Sequence, residues 1–169
     1  MENARLKALR FAGLVFLADQ VTKVLARHLL PRDRSVQVLG DLARLTYVEN
    51  PGIAFGIRVG HGPFFTALIA VASIAVLIYL LRGRTAGKSE QVALAITLGG
   101  ALGNLTDRIL FGRVVDFVDI DFPDVIMSRW PVFNVADGAV TIGIIVLILL
   151  ILISPHAGQP STPTAPSST

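Results

Sequence analysis

Six ionisable side chains stand where an apolar chain can least accommodate them. Asp19, Lys23, Asp107, Arg108, Asp116 and Asp137 lie in or beside long hydrophobic stretches. A charge inside lipid costs roughly 3 kcal/mol or more, so each is a candidate for function. Two of the carboxylates are placed alike. Asp137 follows Asn134 by three residues, about 5 Å along a helix axis from the start of the last apolar stretch. Asp116 follows the third stretch, in Gly112-Arg-Val-Val-Asp-Phe117. The 106–133 connector joins these two stretches, so both carboxylates belong to the same face of a bilayer. Two carboxyls close together in a poorly hydrated pocket do not both ionise readily, and the pair then holds an acid and a base side by side. Such a pair can take a proton from water while polarising a peptide carbonyl, with no covalent intermediate, metal or cofactor.

Ordinary readings compete with this one. Asp116 also reads as a loop aspartate, as do Asp119, Asp121 and Asp124, and Asp137 as a first-turn carboxylate favoured by the helix dipole. Asp19 and Lys23 are four apart on one helix face and can neutralise each other. Asn104, Asp107 and Arg108 share a face, where they could bind polar groups of a substrate or satisfy one another. Residue chemistry alone leaves Asp107 and Asp116 on equal footing. Gly99-Gly-Ala-Leu-Gly103 contains G-x-x-x-G, the spacing that lets another helix approach closely. Other chemistries fare worse. There is no H-E-x-x-H, and His28, His61 and His156 lie outside the apolar stretches, which argues against a zinc site. Ser73 has no evident base and no G-x-S-x-G around it. The chain has no cysteine, which excludes disulfides and thiol nucleophiles.

The elements that must position these groups follow from composition. The 169 residues are 53% hydrophobic and 16% charged, too little charge to clothe a soluble domain of this size. Spans of about 20 apolar residues fit at 9–26, 64–81, 91–110 and 134–153. The first is not a cleaved leader, because Asp19 and Lys23 interrupt it and no small-x-small site follows. The expected fold is therefore an all-α integral membrane protein, a four-transmembrane-helix bundle in a single domain over 1–153. Within the 27–63 connection, Ser35–Leu39 and Leu45–Val48 alternate apolar and polar residues, predicting two strands around a Gly40-Asp41 turn. The 106–133 connector reads as acidic and irregular, and the Ser/Thr/Pro-rich 154–169 tail as disordered. Basic residues before the first span and in the 82–90 connector place both termini in the cytoplasm, against the arginines of the 27–63 connection. The net charge of +3 shows no patch suited to nucleic acid.

Five motifs resemble the bacterial lipoprotein signal peptidases, signal peptidase II. Asp19-Gln-Val-Thr-Lys23 is similar to that family's D-Q-x-[ST]-K, and Asn50-Pro-Gly-Ile-Ala-Phe55 to its N-x-G-x-A-F turn. Gly99 to Arg108 resembles G-G-A-x-G-N-x-x-D-R, Val114–Phe117 resembles V-x-D-F, and Phe133–Asp137 resembles F-N-x-A-D. The resemblance implies a catalytic pair of Asp116 and Asp137, a substrate site lined by Asn50, Asn104, Arg108 and Asn134, and supporting roles for Asp19, Lys23, Asp107 and Gly103. It implies a small β-cradle with a short surface helix on the extracytoplasmic side of the inner membrane. The implied substrates are diacylglyceryl-modified prolipoproteins, cut before the lipidated cysteine by a monomer that needs no cofactor and is sensitive to globomycin-type inhibitors. Pro51 departs from the pattern, since Thr or Ser is expected there, and removes a donor from the turn.

Two rival classes predict different things. A proton-coupled transporter would carry its charges near the bilayer midplane on broken helices. A non-enzymatic assembly protein would use the polar motifs only to hold helices together.

Overall fold

The computed structural model describes residues 2–52, 62–83, 87–121 and 129–153. Four helices, α1 (Glu2–Leu29), α2 (Gly62–Arg82), α3 (Lys88–Phe111) and α4 (Val135–Ile153), accompany three strands, β1 (Val36–Leu39), β2 (Ala43–Asn50) and β3 (Val114–Ile120). Of the helices, α2 and α4 contain windows long and apolar enough to cross a membrane, Pro63–Arg82 and Val135–Ile153. The lengths of α1 and α3 would also suffice, but their charged residues lower their hydropathy below that of a plain apolar span. Ile142, Ile145, Ile148, Leu149 and Ile151 on α4 are all about half exposed or more. An apolar face of that extent calls for lipid as its solvent.

Helix α3 is the axis of the bundle and packs against each of the other three helices. Its small residues make this possible. A Cβ on Gly99 would come 2.5 Å from the Ala12 carbonyl oxygen of α1, and one on Gly100 would come 2.5 Å from the Ala136 carbonyl oxygen of α4. A Cβ on Gly103 would strike the Asp19 carboxylate. Gly99 and Gly103 of the G-x-x-x-G spacing thus admit α1, and Gly100 admits α4 on an adjoining face of α3. Ala8, Ala12, Leu80, Ala95 and Leu98 form the apolar core among α1, α2 and α3.

Strands β1 and β2, the pair that the alternation predicts, run antiparallel with Val36 opposite Leu45, and Gly40 takes the left-handed backbone of the turn at φ 55°. The connector expected to be irregular contains a strand. After the last turn of α3 comes β3, the third strand of the sheet, antiparallel to β2, with Asp116 opposite Val48. Val114-Val-Asp-Phe-Val-Asp-Ile places aspartates at interior strand positions, which hid the strand from a periodicity argument. Gly112 caps α3 at φ 70° and donates its N–H to the Arg108 carbonyl, turning the chain directly into β3. A bridge between Val118 and Phe133 then ties the start of α4 to the sheet. The short surface helix expected in the 27–63 connection is not found among its described residues, and 53–61, Asp124 and the tail from 154 lie outside the described residues.

The glycine contacts yield a direct test. Gly103→Ala should destabilise the protein by about 1–3 kcal/mol, because the methyl displaces a buried carboxylate. Gly13→Ala, whose Cβ would meet nothing within 4 Å, should be neutral or stabilising. Thermal unfolding of the two variants in detergent measures the difference.

Candidate active site

Asp116 is buried, at 2% exposure, on the face of β3 that also carries Asn50 across the β2 pairing. Asn50 donates from Nδ2 to Asp116 Oδ2 at 2.9 Å, and Asn134 donates from Nδ2 to Asp116 Oδ1 at 2.7 Å. Asp137 stands in the first turn of α4. Its Oδ1 accepts from Asn104 Nδ2 at 2.7 Å and its Oδ2 from the Asn134 backbone N–H at 3.2 Å. The Asn134 side-chain oxygen in turn accepts the Asp137 N–H at 2.9 Å. Asn134 and Asp137 therefore form a reciprocal cap at the helix start. One residue, Asn134, hydrogen-bonds both carboxylates, so the strand and the helix deliver Asp116 and Asp137 to a common site.

Arg108 reaches the same region from α3. It donates to the Gly52 carbonyl at 3.2 Å and to the Asn104 carbonyl at 3.3 Å, holding the turn after β2. Within that turn the Asn50 side-chain oxygen accepts the Gly52 N–H at 2.8 Å. This Asx turn steps over Pro51, whose missing donor is not required. Asn50 consequently keeps its amide on Asp116.

Asp19, Lys23 and Asp107 form a second, fully buried cluster behind the first. The Lys23 ammonium lies 2.8 Å from Asp19 Oδ2, 3.3 Å from Asp107 Oδ2 and 2.8 Å from Asn104 Oδ1. Its three hydrogens are thereby all taken. Asp19 Oδ1 accepts the Ala136 N–H at 2.9 Å, and Asp107 Oδ2 accepts the Val115 N–H at 3.3 Å. Asp107 thus faces the ion cluster, while its neighbour Arg108 faces the carboxylate pair. Sequence reasoning missed Arg27, which donates to Asp107 Oδ1 at 3.1 Å. The signal was present, because Asp19, Lys23 and Arg27 follow at steps of four on one face of α1. It also missed Gln20, which donates to the Gly103 carbonyl at 3.2 Å. Among the described residues no group of three or more His, Asp or Glu side chains is arranged to hold a metal ion.

Burial, together with the nearby charge of Asp137, pushes the Asp116 carboxyl up to about 6 against the hydrogen bonds from Asn50 and Asn134. Asp119, three residues on in the same strand, behaves oppositely. Burial alone would raise it, but the Arg129 guanidinium, the Thr46 hydroxyl and Arg44 outweigh that and hold it below the usual carboxylate range. Asp121 also binds Arg129, at 3.3 Å. Asp119 and Asp121 are structural ion-pair residues, whereas Asp116 is a carboxyl that holds its proton up to about pH 6.

Comparison with known proteins gives the family. A lipoprotein signal peptidase of Syntrophus aciditrophicus is 39% identical over 143 residues, spanning 82% of this chain and 87% of the relative. One of Moorella thermoacetica is 40% identical over 148 residues, spanning 86% and 92%. Two solved structures, described as bacterial membrane enzymes determined by the in meso method, superpose with TM-scores of 0.80 and 0.76 at 30% and 32% identity. They cover 94% and 88% of this chain, and 94% of each solved chain. The family model for signal peptidase (SPase) II matches residues 11–153, a stretch that contains the whole of both polar clusters, and the chain belongs to that family of membrane peptidases.

Proposed function

We propose that this chain is an intramembrane aspartic endopeptidase that removes the signal peptide from diacylglyceryl-modified prolipoproteins, cutting before the lipidated cysteine, with Asp116 and Asp137 as its catalytic pair. The observation that carries this reading is the pair of bonds from Asn134 to both carboxylates. Asp116, the more deeply buried member, keeps a proton and polarises the scissile carbonyl. Asp137, half-buried at the helix start, takes the proton from the attacking water. When the tetrahedral intermediate collapses, the leaving amine collects a proton from the pair. Each Asp116 oxygen accepts one amide hydrogen bond and retains a further lone-pair direction, so protonation need not break the Asn50 or Asn134 bonds.

Asn50, Asn104 and Asn134 act on the substrate through the carboxylates they orient, and Arg108 fixes the turn at the edge of the site. Asp19, Lys23, Asp107 and Gly103 support them. All four helices span the bacterial cytoplasmic membrane, with α1 and α3 burying their charges against one another and both termini in the cytoplasm. The carboxylates then lie toward the outer leaflet, where a substrate carrying its own diacylglyceryl group can arrive laterally. The enzyme works as a monomer without a cofactor, and globomycin-type inhibitors occupy the same site. Residues 1–153 form the peptidase domain.

Asp116→Asn and Asp137→Asn should each lower cleavage of a lipidated prolipoprotein by at least about 100-fold, measured by gel shift in membranes. Wild-type cleavage by both variants would refute the assignment. A second outcome concerns pH. The Asp116 carboxyl rises from 3.8 to about 6 on folding, so its stabilisation is full below about 3.8 and is lost as pH climbs through 6. Relative to Asp116→Asn, the wild type should lose about 2 kcal/mol between pH 4 and 7.5. Thermal melts of both proteins across that range should converge or cross, and parallel curves would contradict the assigned shift.

A further inference from the structure

A second pocket lies on the face of the sheet turned away from Asp116. Glu49 pairs with Val115 on β3, one residue before Asp116, so their side chains point to the opposite side of the sheet. There the C-terminal ends of α1 and α3 and the sheet enclose a pocket of about 450 Å³, lined among others by Arg27, Arg32, Tyr47, Glu49, Phe111 and Arg113. The Arg27 guanidinium stacks 4.1 Å over the Phe111 ring while bonded to Asp107, and that of Arg32 lies 4.9 Å over the Tyr47 ring. Arg113 pairs with Glu49 Oε2 at 2.6 Å, and the Tyr47 hydroxyl donates to the other Glu49 oxygen at 2.9 Å.

The charges do not balance within the pocket. Arg27 and Lys23 offset Asp107 and Asp19, and Arg113 offsets Glu49. Arg32 remains, with no carboxylate at ion-pair distance among the described residues. The Tyr47 hydrogen bond, with Arg113, holds Glu49 below the usual carboxylate range and so ionised, which leaves its oxygens committed. An arriving anion would therefore meet the uncompensated Arg32 guanidinium, whose planar fork suits phosphate, flanked by the already paired Arg27 and Arg113. The rim has a different character. Leu29 and Leu110, adjoining the pocket residues His28 and Phe111, are 72% and 65% exposed, and Phe111 itself is 49% exposed. A cationic hollow bordered by bare aliphatic side chains at helix ends matches a ligand with an anionic head and apolar chains.

We propose that this pocket binds the headgroup phosphate of an anionic phospholipid, with the acyl chains lying along the exposed ends of α1 and α3. The site is separate from the carboxylate pair and does not depend on the proposed reaction.

The test uses the full-length protein in a neutral detergent, with bound lipid counted by native mass spectrometry. The probes are short-chain phosphatidylglycerol, short-chain phosphatidylcholine and inorganic phosphate. Phosphatidylglycerol should be retained at least about fivefold better than phosphatidylcholine, and inorganic phosphate at equal concentration should not displace it. Arg32→Gln should weaken phosphatidylglycerol binding roughly fivefold, and Glu49→Gln, which removes the competing carboxylate, should strengthen it by a similar factor. Equal retention of the two lipids, displacement by free phosphate, or unchanged binding in Arg32→Gln would overturn the proposal. If Arg32→Gln does not fold, Glu49→Gln decides alone, and unchanged or weaker binding there overturns it.

Discussion

The Lys23 ammonium, at zero exposure, governs the interior of this protein. An ion so placed survives only with counter-charges and a full set of hydrogen bonds, because the cost of its lost hydration has to be offset on the spot. Asp19 and Asp107 supply the charge and Asn104 the third acceptor. The consequences reach every element near the site. The other oxygen of Asp19 accepts the second amide of α4, and Asp107 accepts the Val115 amide of β3. Asn104 must turn its oxygen toward Lys23, so its NH₂ has to face Asp137. A helix that contributes no carboxylate to the pair thus sets how α3, α4 and β3 meet around it.

Asp116 and Asp119 show how neighbouring residues of one type acquire different chemistry. Both are buried on β3, three residues apart and hence on opposite faces. Asp119 meets guanidinium groups from Arg129 and Arg44 and stays ionised as a structural anion. Asp116 meets neutral amides and a second carboxylate, and its proton is held up to about pH 6. Burial is common to both. The charge of the hydrogen-bond donors separates them.

Much of this arrangement was legible from residue order, for physical reasons that differ by element. The apolar stretches of α2 and α4 declare themselves through length and hydropathy, and the first two strands through alternation. Asp137 stood out because a charge in an apolar helix is expensive. The third strand did not, since Asp116 and Asp119 break the apolar pattern that marks a buried strand, and their partners come from residues 66 and 73 positions away. For the same reason the choice of Asp116 over Asp107 rested on resemblance. Both are buried aspartates near the end of α3, and only the tertiary partners, a lysine and an arginine for one and amides for the other, tell them apart.

Asn134 occupies a helix N-cap, a position where Asn, Asp, Ser and Thr ordinarily substitute for one another at little expense. Here that freedom is closed. Aspartate would cap α4 equally well, yet it would set a third carboxylate between two that already compete for a proton. Serine or threonine could serve the helix but would present one hydroxyl where a forked amide now meets Asp116, Asn104 and the Val115 carbonyl together. The residue that a folding argument would rank among the most replaceable is therefore one that the acid–base chemistry leaves with no equivalent.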